Sequence, residues 1–305
     1  MLKKFILLIS ICTISFSAGN IGTITTGTED GTYIQIGKDI STLFKKYDVE
    51  LQVVESEGSL DNIRRITGLD KLQQSNWAIV QRDVLKYYKY KYYKETKQSL
   101  NAKVKIVLPL YDEEVHIFTK KGKTIKFELN ENIKVGVKSE KSGGYITAKV
   151  IANSYGVEFN FLYCDFDTAK EYLQKGVIDI FIDVTAKPNS SYKNLEDIDF
   201  VELPDTKVMD KNYKKTVFTR NDYPWLEKNM TGYSCPSILV TSLIETRYDK
   251  VISFFIEALL QNSKELKNKG HVRWNEIYEN LELNSKNYNY HPQVIQSVSS
   301  YKKEL

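Results

Sequence analysis

Residues able to do acid–base, nucleophilic or metal chemistry are sparse in this 305-residue chain. The histidines are His116, His271 and His291, and none stands in an HExxH or other metal-binding spacing. Cys164 and Cys235 lack the neighbouring cysteine that a zinc site needs. No GxSxG elbow presents a serine, and no GxxxxGK[ST] loop is present to cradle a phosphate. Asp179 and Asp183 sit at strand-compatible spacing, a pair that suits acid–base work or, more commonly, ligand contact at a strand end. The expectation is a protein that is not an enzyme and uses no metal or cofactor. What the chain offers instead is hydroxyls, amides and glycines in short polar loops, the groups that grip a small anion.

Apolar and amphipathic runs alternate, and they must position those loops. Strands are expected at Asn20–Thr26, Val49–Val54, Trp77–Val80, Ile133–Val137, Phe159–Tyr163 and Ile178–Val184, with further strands at Phe200–Leu203 and Ser237–Thr241. Two more flank Pro109, at Val104–Leu108 and Val115–Thr119. Helices fall between them, at Tyr33–Phe44, at Leu60–Gly68 with Ser59 as N-cap, at Asp83–Lys97, Tyr145–Tyr155 and Asp167–Lys175. Long helices follow at Tyr248–Asn268 and near Trp274–Glu282. Val208–Asn229 has no clear period. Strands alternating with helices give α/β layers with mostly parallel sheets. Two such units leave a cleft between them. Ligands of open α/β sheets bind at the carboxyl ends of strands, here the loops near Thr26, Ser56, Gln81, Ser139 and Val184.

Composition removes several classes. Hydrophobic residues make up 42% and net charge is only +4, which excludes a disordered chain and gives no basic footprint for nucleic acid. The tract Lys86-Tyr-Tyr-Lys-Tyr-Lys-Tyr-Tyr-Lys94 therefore reads as a helix with a packed tyrosine face and solvated lysines. Residues 1–17 have a basic start, an apolar run too short to span a membrane and a small-residue end, the pattern of a secretory signal cleaved after Ser17. An exported compartment permits a Cys164–Cys235 disulfide, but two separate buried thiols fit the sequence equally well.

Specific segments resemble the TAXI-type solute receptors of tripartite ATP-independent periplasmic (TRAP) transporters. Thr26-Gly-Thr-Glu-Asp-Gly-Thr-Tyr-Ile34 is similar to the family's GT-x-x-GTYY turn. Glu55-Ser-Glu-Gly-Ser-Leu-Asp-Asn-Ile63 resembles its S-x-G-S-x-x-N segment, and Trp77-Ala-Ile-Val-Gln-Arg-Asp-Val84 its A-x-VQ-x-DV. Tyr223-Pro224 and Pro236-Ser-Ile-Leu-Val-Thr241 match later segments in order. The second half departs from the pattern. Gly136–Gly144 carries added charges in place of G-x-x-x-SGT, Thr185-Ala-Lys-Pro-Asn189 replaces a glycine-rich continuation, and Trp225 stands where the YPG turn has glycine.

The resemblance implies a two-lobed type II periplasmic-binding-protein architecture that closes by hinge motion. Lobe 1 would be residues 18–113 with 236–305, and lobe 2 residues 114–235. It implies a periplasmic, monomeric receptor that binds a small organic acid, glutamate-like or dicarboxylic, and delivers it to TRAP membrane subunits. Another reading is a ligand-binding sensor component acting on a membrane signalling protein. The residues expected at the ligand are Thr26, Gly27, Gly31, Thr32, Tyr33, Ser59, Asn62 and Gln81 from lobe 1. Lobe 2 would add Ser139, Ser142, Gly143 and Asp183. Ser59 opens a helix whose N-terminal amides attract a carboxylate, and Asp183 would meet an amino group.

Overall fold

A computed structural model describes residues 19–304 except 30, 70–72, 280, 282 and 284–288. The expected export signal lies outside the described residues. In the first half, β1 (Gly19–Thr25), β2 (Val49–Val54) and β3 (Trp77–Gln81) alternate with α1 (Thr32–Lys45), α2 (Ser59–Ile66) and α3 (Arg82–Thr96). A long strand follows, β4 (Lys105–Lys120), then β5 (Asn132–Val137), α4 (Gly143–Tyr155), β6 (Glu158–Tyr163), α5 (Phe166–Lys175) and β7 (Ile180–Thr185). Next come β8 (Ile198–Phe200), α6 (Lys207–Asn212), β9 (Lys214–Phe218) and β10 (Met230–Thr241). Helices α7 (Asp249–Gln261), α8 (Ser263–Lys269), α9 (Trp274–Glu279) and α10 (Pro292–Glu304) close the chain.

The strands run in the order β2-β1-β3-β10-β4-β7-β5-β6. β1 pairs parallel with β2 and β3, and β5 pairs parallel with β6 and β7. The inner parallel strands β3 and β7 are buried on both faces, so they read as nearly continuous apolar runs, whereas the edge strands β2 and β6 expose alternate residues. Every residue of β3 is buried. Helix α1 turns Ile36, Ile40, Leu43 and Phe44 inward, the spacing of one helical face. Trp77 of β3 stacks on Phe255 of α7 with ring centroids 4.2 Å apart.

Two strands join the halves. β4 and β10 pair antiparallel along their length, with Pro236 opposite Asp112 and Cys235 opposite Glu113. On one side of that point they belong to a core of Ile24, Ile79, Leu108, Leu239 and Phe255. On the other side, Val115, Ile117 and Cys235 enter a core with Val135, Ile151 and Ile182. An aromatic cluster around Phe118, Tyr192, Phe200 and Tyr223 adds to the second lobe.

Several elements differ from the sequence-based expectation. β4 runs unbroken through Pro109, where two strands were expected. A proline gives no ladder hydrogen bond and is tolerated where the register is irregular. The register shifts beside Ile238, the partner of Pro109. There the Ser237 hydroxyl donates to Tyr111 O at 2.8 Å and accepts from Tyr111 N at 3.4 Å, standing in for ladder bonds. The unpatterned segment 208–229 contains the end of α6 and all of β9, which pairs along the outer end of β10. The long helix expected to 268 breaks at Asn262, whose side chain bonds Ala258 O and the Tyr47 hydroxyl. Cys164 and Cys235 are both buried free thiols. In α3, Tyr88 and Tyr92 pack inward while Tyr90 and Tyr93 are exposed.

Candidate functional site

Loops at the carboxyl ends of β1, β2, β3, β5 and β7 converge on one cavity of about 90 Å³ between the lobes. Lobe 1 lines it with Gly27, Gly31, Thr32, Tyr33, Ser59 and Gln81. Lobe 2 lines it with Ser142, Gly143 and Asp183. The structure therefore brings together nine of the twelve residues expected at the ligand. The other three lie behind the lining. Thr26 is fully buried and donates its hydroxyl to Val54 O at 3.0 Å. Asn62 accepts from the Thr25 hydroxyl at 2.7 Å and donates to Thr26 O and Ile79 O at 2.5 and 2.7 Å. It ties α2 to the end of β1 and to β3. Ser139 organises a turn, accepting from Lys141 N through its hydroxyl and from Ser142 through its carbonyl.

Asp183 apart, the charged lining residues were not legible in the sequence. Glu57, Glu113 and Lys138 all face the cavity. Glu113 lies in mid-strand at the β4–β10 crossing, next to another glutamate, with no loop signature to mark it. Tyr33 donates to Glu113 Oε2 at 2.5 Å and lies 3.3 Å from the Ser59 hydroxyl. Burial holds the Glu113 carboxyl well above the usual carboxylate range, and the charges of Asp183, Asp83 and Glu114 push the same way. Asp183 is equally buried, which raises its pKa, yet Lys138 at 2.9 Å and the Tyr192 hydroxyl hold it below the ordinary value.

Helix α2 is capped differently from the sequence-based expectation. Its N-cap is Gly58, with φ of 117°, and Ser59 is the first helical residue. The Ser59 hydroxyl accepts from Gln81 N at 3.0 Å, fixing the end of β3 against α2. The first amides of α2 are occupied from the other lobe: Leu60 N and Asp61 N both donate to Lys141 O at 3.1 Å. Lys141 Nζ also meets Glu57 at 2.7 Å. A carbonyl of lobe 2 thus takes the place a ligand carboxylate was expected to hold on this helix end. Deeper in, Asp83 accepts from Thr147 at 2.6 Å and Tyr213 at 2.7 Å, both of lobe 2. The lobes are in contact, and the cavity between them has room for about three waters.

His116 is accounted for structurally. His116 is fully buried, bonded to Tyr223 and Glu114 O, and burial lowers its pKa to about 4. Asp179 accepts from Lys123 and Lys134 N on the far side of β7 from the cleft. Among the described residues no group of His, Cys, Asp and Glu could hold a metal ion, and no helix is long and apolar enough to cross a membrane. A larger cavity of about 830 Å³ lies elsewhere in lobe 2, between Lys121, Glu196, Trp225 and Lys228. It draws on one lobe only, whereas the smaller cavity is built from five strand ends.

Two lobes joined by crossover strands, with a polar cleft at their strand ends, define the periplasmic-binding-protein fold. Solved structures agree. The chain is similar to a periplasmic transporter at 12% identity and TM-score 0.53, covering 95% of this chain and 98% of that one. It is similar to the periplasmic binding protein BugD at 10% identity and TM-score 0.51, covering 95% and 97%. XAC2383 from Xanthomonas citri, solved with a bound chloride ion, gives 9% identity and TM-score 0.51, covering 95% and 100%. At such identities the likeness is one of fold. The model of the NMT1-like family matches residues 24–272, and the chain belongs to that family. No curated protein matches it.

Proposed function

We propose that this chain is an extracytoplasmic solute receptor. It captures a small organic acid, glutamate-like or dicarboxylic, in the interlobe cleft and passes it to TRAP transporter membrane subunits. The observation that carries the reading is the meeting of Tyr33, Ser59 and Gln81 with Ser142, Gly143 and Asp183 in one cavity between two lobes. The lobe division proposed is 18–113 with 236–305 against 114–235, with the hinge where β4 and β10 cross. The export signal read at residues 1–17, the TAXI-like loop segments and the periplasmic proteins of similar fold support the location and the partner. Because ligand pockets commonly measure ~300–1,000 Å³, the cleft of about 90 Å³ must open to admit its solute.

A thermal-shift screen of amino acids and carboxylates on the mature chain tests this. A ligand that binds the native state raises apparent stability as RT ln(1 + [L]/Kd). One or more of these solutes should raise Tm, and Ser59→Phe should abolish the rise, with circular dichroism checking that the variant folds. The reading fails if none shifts Tm, and the pocket lies elsewhere if Ser59→Phe leaves the affinity unchanged.

A further inference from the structure

We infer that the cleft carries an ammonium subsite, formed by the side-chain carbonyl of Gln81 with the carboxylates of Glu113 and Asp183. The solute must then bear a primary ammonium, and a dicarboxylate without one is not held. The inference rests on the receptor reading and narrows it.

Gln81 supplies the first observation. Its side chain is 2% exposed and lines the cavity, yet its Oε1 has no hydrogen-bond partner. A buried acceptor without a donor is costly, and the missing partner is a donor. The oxygen abuts the opposite lobe: a Cβ on Gly143 would fall 1.8 Å from it. Gln81 therefore presents a bare acceptor where the two lobes meet.

The lining charges supply the second, independent observation. Three carboxylates face the cavity, those of Glu57, Glu113 and Asp183, against Lys138 alone. Lys138 is already held by Asp183 at 2.9 Å, and Glu57 by Lys141 at 2.7 Å. Glu113 has a tyrosine hydroxyl but no cation at hydrogen-bond distance. No arginine lines the site to clamp a carboxylate with two parallel bonds. The α2 amides are taken by Lys141 O. A carboxylate placed beside Glu113 and Asp183 would meet like charge. An ammonium has three donors and one positive charge; it satisfies Gln81 Oε1 and favours the ionised form of Glu113, which burial and the nearby carboxylates disfavour.

Calorimetric titration of the mature chain with matched pairs tests this: alanine and lactate, aspartate and malate, glutamate and 2-oxoglutarate, lysine and 6-aminohexanoate. Each of the first three pairs differs at the α-amino group, and the fourth separates an α-ammonium from a terminal one. The expected result is binding by an amine-bearing member, with the partner that lacks an amine at least 100-fold weaker. Gln81→Leu should weaken that binding tenfold or more without lowering the Tm of the free protein. Glu113→Gln, which keeps an acceptor for Tyr33, should weaken it as well. Equal or tighter binding of malate, lactate or 2-oxoglutarate overturns the ammonium subsite and leaves the receptor reading standing. Unchanged amine affinity in both variants overturns it too. Absence of binding across the whole panel removes both readings together.

Discussion

Asn62 and His116 show how differently a polar side chain can be used once it is buried. Asn62 spends its whole amide on Thr25, Thr26 and Ile79. Asn62→Ala would leave a buried hydroxyl and two carbonyls without that partner, and is expected to cost about 2–4 kcal/mol in denaturant unfolding. A ligand contact of no structural role would show little change. His116 is held neutral, its pKa lowered to about 4 by burial in the aromatic cluster. The unfolded chain takes up this proton near pH 6.5 and the native chain only near pH 4, so stability falls as pH drops through that window. The loss amounts to about 3 kcal/mol. Glu114 acts in the opposite sense: burial raises it to about 7, so its contribution falls as pH rises from about 4.5 to 7. His116→Gln should therefore remove the acid-side loss and leave the Glu114 slope, read as ΔG against pH from 4 to 7. An unaltered profile would mean that His116 does not titrate in this way.

At the scale of elements, the α2 N-terminus is one place where the two lobes meet directly. Gly58 has a φ that side-chain-bearing residues rarely adopt, and a Cβ there would sit 3.3 Å from Ser142 Cα. Gly58→Ala is expected to strain the backbone by about 1–3 kcal/mol. It should also hold the Lys141 carbonyl off the α2 amides. The measurable result is a larger radius of gyration by small-angle scattering and weaker ligand affinity, with the circular dichroism unchanged. A variant as compact as the parent would show that lobe contact does not depend on this glycine. Strands and helices up to β3 agree closely with the sequence-based expectation because each carries its own period and turn. The unbroken β4 was not legible, since its pairing partners on β10 and β7 lie far along the chain; α6 and β9 are short and carry no clear period.

For the whole molecule, closure rests on buried rather than exposed polar contacts. The Glu57–Lys141 pair is about half exposed, and exposed pairs contribute little, ~0–1 kcal/mol. Asp83 is buried and receives two hydroxyls from lobe 2, and hydrogen bonds to a charged group are the stronger kind. Asp83→Ala should expand the particle in scattering, whereas Glu57→Gln should leave it nearly unchanged. The reverse order would place the holding energy at the surface. Ile146 and Ala186 of lobe 2 also enter the lobe 1 core, so opening exposes apolar surface as well.

By itself the sequence determined the α/β class, the two-unit organisation and the polar loops of lobe 1. These depend on local period, glycine turns and short motifs such as Thr26–Ile34 and Glu55–Ile63. It also excluded the common catalytic and metal spacings. Only the tertiary structure decided which loops share a cavity and which polar residues are consumed before a ligand arrives. Thr26, Asn62 and Ser139 look as available in sequence as Tyr33 and Gln81. Their hydrogen-bond partners, reached through the fold, separate them. Glu113 came into view only through burial and the crossing of β4 and β10, because a carboxylate in mid-strand gains its meaning from what a distant strand and loop place beside it.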